Sequence, residues 1–243
     1  MSKRQQATRN AKRAARARQK LITRLVGIGL FILAIAVIGF SIYYSHKRST
    51  TANQTQAGSN SALTPGGPTP VLVATKQYSA APPLLIDQSK QYFASVQMAK
   101  GGQFVIQLYP NKAPITVNSF VFLANQGFFN DLSFHRVLEG FMAQGGDPTG
   151  TGDGGPGYQF VNESNDLKFD KAGVVAMANA GRDTNGSQFF ITFGPVDLSE
   201  SDYTIFGQVT TGMDVVNSIT LRDPTQNPSF TGDVIQSITI SEK

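Results

Sequence analysis

Phe134-His-Arg-Val-Leu-Glu-Gly-Phe-Met-Ala-Gln-Gly-Gly-Asp147 joins the apolar residues of a buried strand (Phe134, Val137, Phe141, Met142) to a guanidinium and a carboxamide. Arg136 and Gln144 are costly inside an apolar core unless they are paired or hydrogen-bonded. Set among aromatics, such groups belong either to a satisfied structural network or to a pocket that presents donors to a ligand. Read alone, the stretch is an ordinary strand with Arg136 on its solvent face.

The rest of the chain narrows that choice. At 243 residues it can hold one large domain or two small ones. Its net charge of +5 is unevenly distributed. Residues 1–86 contain 12 Lys or Arg and no acid, whereas residues 87–243 contain 9 basic and 16 acidic residues, a net of −7. The basic character therefore belongs to the N-terminal tail. Nucleic-acid binding by the remainder has no electrostatic support, because it needs clustered Lys and Arg. Without cysteine there is no disulfide, thiolate nucleophile or Cys-ligated metal. Two histidines, His46 and His135, leave most zinc sites unsupported and a Ser-His-Asp triad with one candidate base. No metal or cofactor is expected.

Nine of the basic residues fall within 1–24, expected as a cytoplasmic tail. Leu25 to Tyr44 follows as twenty uncharged, mostly aliphatic residues. At about 1.5 Å per residue such a helix spans the roughly 30 Å hydrocarbon core of a bilayer. Tyr43 and Tyr44 suit an interfacial belt, and the heavier cationic flank orients the N-terminus inward. The run is longer than a signal peptide's apolar region and lacks an Ala-x-Ala-like cleavage site, so an uncleaved single-pass anchor is expected. Ser, Thr, Asn, Gln, Gly and Pro dominate residues 49–83, including Thr64-Pro-Gly-Gly-Pro-Thr-Pro70. That composition buries too little apolar surface to offset chain entropy, and 45–86 is expected as a linker.

From residue 87 the pattern is that of a folded domain. Tyr92–Met98 and Gln103–Tyr109, joined by Lys100-Gly-Gly102, predict a hairpin. Apolar residues at helical spacing predict a helix over 116–126, with Thr116 as N-cap and Gly127 as stop. Short apolar runs follow at 134–142, 173–177, 187–193 and 203–209, then a short helix over 212–219 and a closing strand over 234–240. Many short strands with few helices predict an antiparallel sandwich or barrel.

Several patterns carry less than they suggest. Gly150-Thr-Gly-Asp-Gly-Gly-Pro-Gly157 resembles a phosphate loop, but Pro156-Gly157-Tyr158 does not open a helix, so a tight surface loop is expected. His135 reads as a hydrogen-bonded core histidine rather than a base. Ser187 stands in Asn-Gly-Ser-Gln-Phe, not in a nucleophile elbow.

A second stretch, Met177-Ala-Asn-Ala-Gly-Arg-Asp-Thr-Asn-Gly-Ser-Gln-Phe-Phe-Ile191, decides the matter. Together with 134–147 it resembles the cyclophilin family of peptidyl-prolyl cis/trans isomerases, over about 150 residues from Tyr92 to the end. The resemblance implies an all-β fold with two capping helices, an eight-stranded antiparallel barrel in residues 87–243. It implies Arg136 as the catalytic arginine. Phe141, Met142, Phe190 and Leu198 become the apolar pocket for the proline ring, and Gln144 and Asn179 hold the substrate backbone. Ala178, Ala180 and Gln188 line the adjoining groove, with Gly152 beside it. Two departures touch the rim. Asp197 stands where the family often has Trp, and Tyr203 where it commonly has His. Cyclosporin-like ligands are accordingly expected to bind weakly.

The expected function is a membrane-anchored prolyl isomerase with an extracytoplasmic domain, acting on proline-containing polypeptides that are exported or displayed at the surface. The competing reading is a non-catalytic proline-binding or scaffolding module.

Overall fold

The protein is described by a computed structural model over residues 72–74, 76–226 and 229–243. The expected basic tail, membrane span and most of the linker lie outside the described residues. Among those residues, no helix is long and apolar enough to cross a membrane. In chain order the elements are β1 (Leu72–Ala74), β2 (Gln77–Tyr78), β3 (Tyr92–Met98), β4 (Gln103–Leu108), α1 (Pro114–Asn125), β5 (Arg136–Leu138), β6 (Met142–Gly145), β7 (Val174–Met177), β8 (Phe189–Thr192), β9 (Ile205–Thr211), α2 (Met213–Asn217) and β10 (Ile235–Glu242).

Eight strands form one antiparallel sheet in the order β10-β3-β4-β9-β7-β8-β6-β5. The chain ahead of β5 then meets the chain ahead of β10. Ser133 bridges Val234, Phe134 N donates to Asp233 O at 2.9 Å, and Ile235 N donates to Leu132 O at 2.8 Å. These bonds close the sheet into a barrel, which leaves its edge strands no free edge there.

Period-two alternation builds the wall. In β3, Tyr92, Ala94, Val96 and Met98 are buried and the residues between them are not. The interior is aromatic at its centre. Phe189 meets Phe120, Phe129 and Phe134 edge-on, at centroid distances of 5.5, 5.8 and 6.1 Å. Phe120, Val117 and Leu123 bring one face of α1 onto this core, and Val216 does the same for α2. The two helices cap the barrel.

Local details depart from the sequence expectation where distant residues intervene. The helix expected from Thr116 begins two residues earlier, with Pro at its start and no side-chain cap of its own. Glu163 caps it from across the fold, accepting Ile115 N and Thr116 N at 2.8 Å each and Thr116 Oγ1 at 2.7 Å. A carboxylate at that end also suits the helix dipole. The apolar run 134–142 is not one strand. It splits into β5 and β6 at a turn where Gly140 takes φ 66°, a conformation that favours glycine.

Packing also begins ahead of residue 87. Tyr78 is buried against Phe122 and Phe128. Leu85 N donates to Asn118 Oδ1 at 2.9 Å, and Asn118 Nδ2 donates to Pro83 O at 2.9 Å. The segment 76–86, expected as linker, is strapped to the barrel by these bonds.

Candidate active site

Strand register aligns one row of side chains along the outward face of the barrel wall. Arg136 pairs with Gln144 across β5–β6, and Gln144 with Phe190 across β6–β8. Phe190 pairs with Ala176, and Ala176 with Ile205. Directly opposed residues share a face, so a guanidinium, a carboxamide and an apolar floor follow one another in line.

The floor is a second apolar cluster, separate from the barrel interior. Met142, Phe169, Val174, Ala176, Phe190 and Ile205 are buried in it. Phe141, Leu198 and Tyr203 are half-buried and pack on its rim. Phe169 stacks on Phe190 at 5.8 Å, and Tyr203 stands edge-on to Phe190 at 5.7 Å. Asp197 is exposed. Arg136 is half-buried with its guanidinium 5.9 Å from the Phe141 ring centroid. Among the described residues, no carboxylate forms an ion pair with it. The guanidinium therefore stands over apolar surface with donors to offer.

Beside this cluster runs a groove of about 710 Å³, lined in part by Gln144, Gly152, Ala178, Asn179, Ala180 and Gln188. The twelve expected site residues thus fall in two adjoining places. Arg136, Phe141, Met142, Phe190, Leu198 and Tyr203 belong to the apolar cluster or its rim, and the other six line the groove.

Hydrogen bonds hold the junction. Gln144 Nε2 donates to Gln188 Oε1 at 2.9 Å. Gln188 Nε2 donates to Gly152 O at 2.8 Å and Gly154 O at 2.9 Å. The same glycine loop is gathered from below by Asp147, which accepts Thr149 N at 2.7 Å and Gly152 N at 2.5 Å. Burial pushes the Asp147 carboxyl up, but the N–H donors of Thr149, Gly152 and Gly154 and the Thr149 hydroxyl outweigh it and hold it below the usual range. The loop expected over 150–157 is thus organised by one buried carboxylate.

Asn179 is engaged by its own loop. Its Nδ2 donates to Asp202 O at 2.8 Å and its Oδ1 accepts Gly181 N at 3.1 Å. The bond to Asp202 O ties the groove wall to the segment leading into Tyr203. Ser187 Oγ donates to Gly146 O at 2.6 Å and is buried, a structural role. His135 is buried as expected, but neither ring nitrogen has a hydrogen-bonding partner among the described residues. Burial lowers its pKa; Asp147 pulls it up, and Arg222 and Arg136 push it down further. Among the described residues, no group of three His, Asp or Glu is placed to hold a metal.

Sequence reasoning did not assign Phe169, Val174, Ala176 and Ile205 to this floor. All four residues of β7 are buried, because the strand is covered on both faces, so its pattern does not alternate. Arg222 was also missed. It is buried and donates to His135 O and Phe230 O, pinning the backbone under Arg136.

Residues 93–241 match the family described as "Cyclophilin type peptidyl-prolyl cis-trans isomerase/CLD". The chain belongs to the cyclophilins. Human "Peptidyl-prolyl cis-trans isomerase-like 1" is 51% identical over 122 residues, covering 49% of this chain and 74% of that one. The Helicobacter pylori "Peptidyl-prolyl cis-trans isomerase" is 40% identical over 156 residues, covering 63% and 89%. The crystal structure of a Cryptosporidium parvum cyclophilin type isomerase superposes with a TM-score of 0.57 at 31% identity, covering 63% of this chain and 99% of that one. A second structure of that protein, in the presence of the dipeptide Ala-Pro, gives a TM-score of 0.56. As a cyclophilin, the chain is an enzyme that accelerates cis/trans rotation about X-Pro bonds.

Proposed function

We propose that the row running from Arg136 through Gln144 to Phe190 is the isomerase centre, with Arg136 as its transition-state donor. The X-Pro bond resists rotation by about 18–20 kcal/mol because the nitrogen lone pair is delocalised into the carbonyl. Uncatalysed exchange takes tens to hundreds of seconds. A turnover of about 10³ per second requires about five decades, or roughly 7 kcal/mol. No proton is transferred and no covalent bond forms.

In the twisted transition state the nitrogen becomes pyramidal and its lone pair localises. A guanidinium donor then gains an acceptor that the planar ground state does not present, which is differential binding. One charge-assisted hydrogen bond contributes about 1.5–3 kcal/mol. The remainder falls to orientation in a dry, preformed site. Met142, Phe141, Phe190 and Leu198 seat the proline ring, Tyr203 closes the rim, and Gln144 orients the flanking backbone. The groove wall formed by Ala178, Asn179, Ala180, Gln188 and Gly152 receives the residues beside the proline. The observation that carries this reading is the register-aligned row with its uncommitted guanidinium. Exchange spectroscopy on an Ala-Pro peptide, with and without Arg136→Ala, tests it.

The client reading follows from the N-terminal sequence. A charge-free run over 25–44 behind a cationic tail supports a single-pass anchor with the isomerase outside the cytoplasm, serving exported chains whose folding waits on X-Pro isomerisation. A membrane fraction that keeps the protein through a high-salt wash supports the anchor, and release by salt contradicts it. With Asp197 exposed and no tryptophan at that rim, cyclosporin-like ligands bind weakly; a tight titration would show otherwise.

A further inference from the structure

The groove beside the proline pocket is not walled by the barrel alone. Gln77, on β2, lines it too, and lies ahead of the span 93–241 that matches the family. Four hydrogen bonds fix it and its two neighbours there. Gln77 Nε2 donates to Gly155 O at 2.7 Å, and Tyr78 N donates to Pro156 O at 2.7 Å. Lys76 Nζ donates to Phe128 O at 2.8 Å and also to Asn130 O. Next to Gln77, the Tyr78 ring is buried edge-on to Phe122 at 5.1 Å. Two backbone carbonyls of the groove loop, Gly155 O and Pro156 O, therefore hold this segment, one through a side-chain amide and one through a backbone N–H.

The loop is built to receive it. Gly157 has φ +94°, and a Cβ there would lie 2.5 Å from Tyr78 O and 3.1 Å from Gln77 Oε1. A side chain at 157 and β2 cannot share this place. The groove that results is polar, and Asp153 carries the one formal charge among its lining residues. Gln144 and Gln188 line this groove, and Gln144 stands opposite Phe190 of the pocket floor, so the groove is placed to receive residues on one side of a proline seated there.

We infer that Gln77 is a specificity-determining residue of the isomerase, touching a substrate side chain that flanks the proline. With Asp153 it favours a neutral polar or cationic residue there over an anionic one. The inference rests on the isomerase site described above, and extends the substrate groove to a segment outside the family's matched span.

The full-length protein is assayed on Ala-Pro peptides bearing Lys, Gln or Glu at each position flanking that pair. Wild type turns over the Lys and Gln peptides at a higher kcat/KM than the Glu peptide at one of these positions. Gln77→Lys moves the Glu-to-Lys ratio of kcat/KM about three- to fivefold toward Glu, as a weak exposed ion pair allows. Gln77→Glu moves it the other way, and both changes lie in KM more than in kcat. Opposite shifts cannot come from a loosened fold. Unchanged ratios in both variants, or an equal loss on every peptide, overturn the inference. Arg136→Ala separates the two levels: a variant as active as wild type overturns the isomerase site, whereas the Gln77 ratios are read within each protein.

Discussion

Arg136 stands directly opposite Gln144 in the β5–β6 ladder, and Gln144 passes its own donor on to Gln188 at 2.9 Å. The guanidinium is thus placed by backbone register, while the carboxamide beside it is placed by a hydrogen bond. Through Gln188 the chain of contacts reaches Gly152 O and Gly154 O, and through Asp147 it reaches Gly152 N. Pocket, groove and glycine loop are one connected unit, which is what preorganisation requires of a site with so little chemistry to perform.

Gln188→Ala tests that connection. It removes the acceptor of Gln144 and the donor to both loop carbonyls. The expected loss in kcat/KM is roughly ten- to a hundredfold, the scale of an ångström-sized misplacement. The urea midpoint should move little, because Gln188 is half-buried and outside both apolar clusters. Activity within twofold of wild type would remove Gln188 from the positioning network.

Phe189→Ala addresses the scaffold instead. Phe189 is fully buried, with Phe120, Phe129 and Phe134 edge-on around it. Truncation leaves a cavity in a closed barrel and costs about 3–5 kcal/mol. Its neighbour Phe190 points to the opposite face, so Phe190→Ala acts on substrate binding more than on the barrel core. Equal destabilisation by the two variants, measured by urea unfolding, would contradict this division of faces.

His135 makes stability depend on pH in a definite direction. Burial holds its pKa below the ordinary 6.5, so near-neutral unfolding takes up a proton that the native state does not bind. Stability is therefore complete above about pH 6.5 and declines as pH falls below it, by at most about 1.4 kcal/mol per pH unit for one proton. Asp147 does not disturb this window, because its carboxyl is held below the usual range and matters only in stronger acid. Urea unfolding followed from about pH 7.5 to pH 5 checks the slope. The His135→Gln variant should flatten it; a wild-type profile already flat would contradict the assignment.

Much of this architecture is readable in the residues themselves, and the exceptions have physical causes. Alternation in β3 and β4 announces a half-buried wall, and Gly173 and Gly212 mark the ends of runs that become β7 and β9. The row on β6 and β8 is legible through the two family motifs that hold Arg136, Gln144 and Phe190, while Phe189 next to it faces the barrel interior. The floor from β7 is not, since Val174 to Met177 is buried throughout. Glu163 is 47 residues from Thr116, whose N–H it caps, and no local pattern encodes such a partner. The motif assigns Asn179 to the substrate, yet its carboxamide also serves Asp202 O and Gly181 N. The segment 76–86 reads as linker because it continues the Ser-, Thr-, Gln-, Gly- and Pro-rich run over 49–83. Its attachment depends on Tyr78 and on backbone hydrogen bonds, which composition does not show.

In the proposed centre, X-Pro rotation depends on the half-buried Arg136 guanidinium over the apolar pocket, in no ion pair among the described residues. Exchange spectroscopy on an Ala-Pro peptide measures this dependence directly, with wild type and Arg136→Ala compared at equal concentration. Loss of a transition-state donor lowers the rate on the order of 10²–10³-fold, with the fold unchanged by circular dichroism. Equal exchange rates for the two proteins would contradict the account.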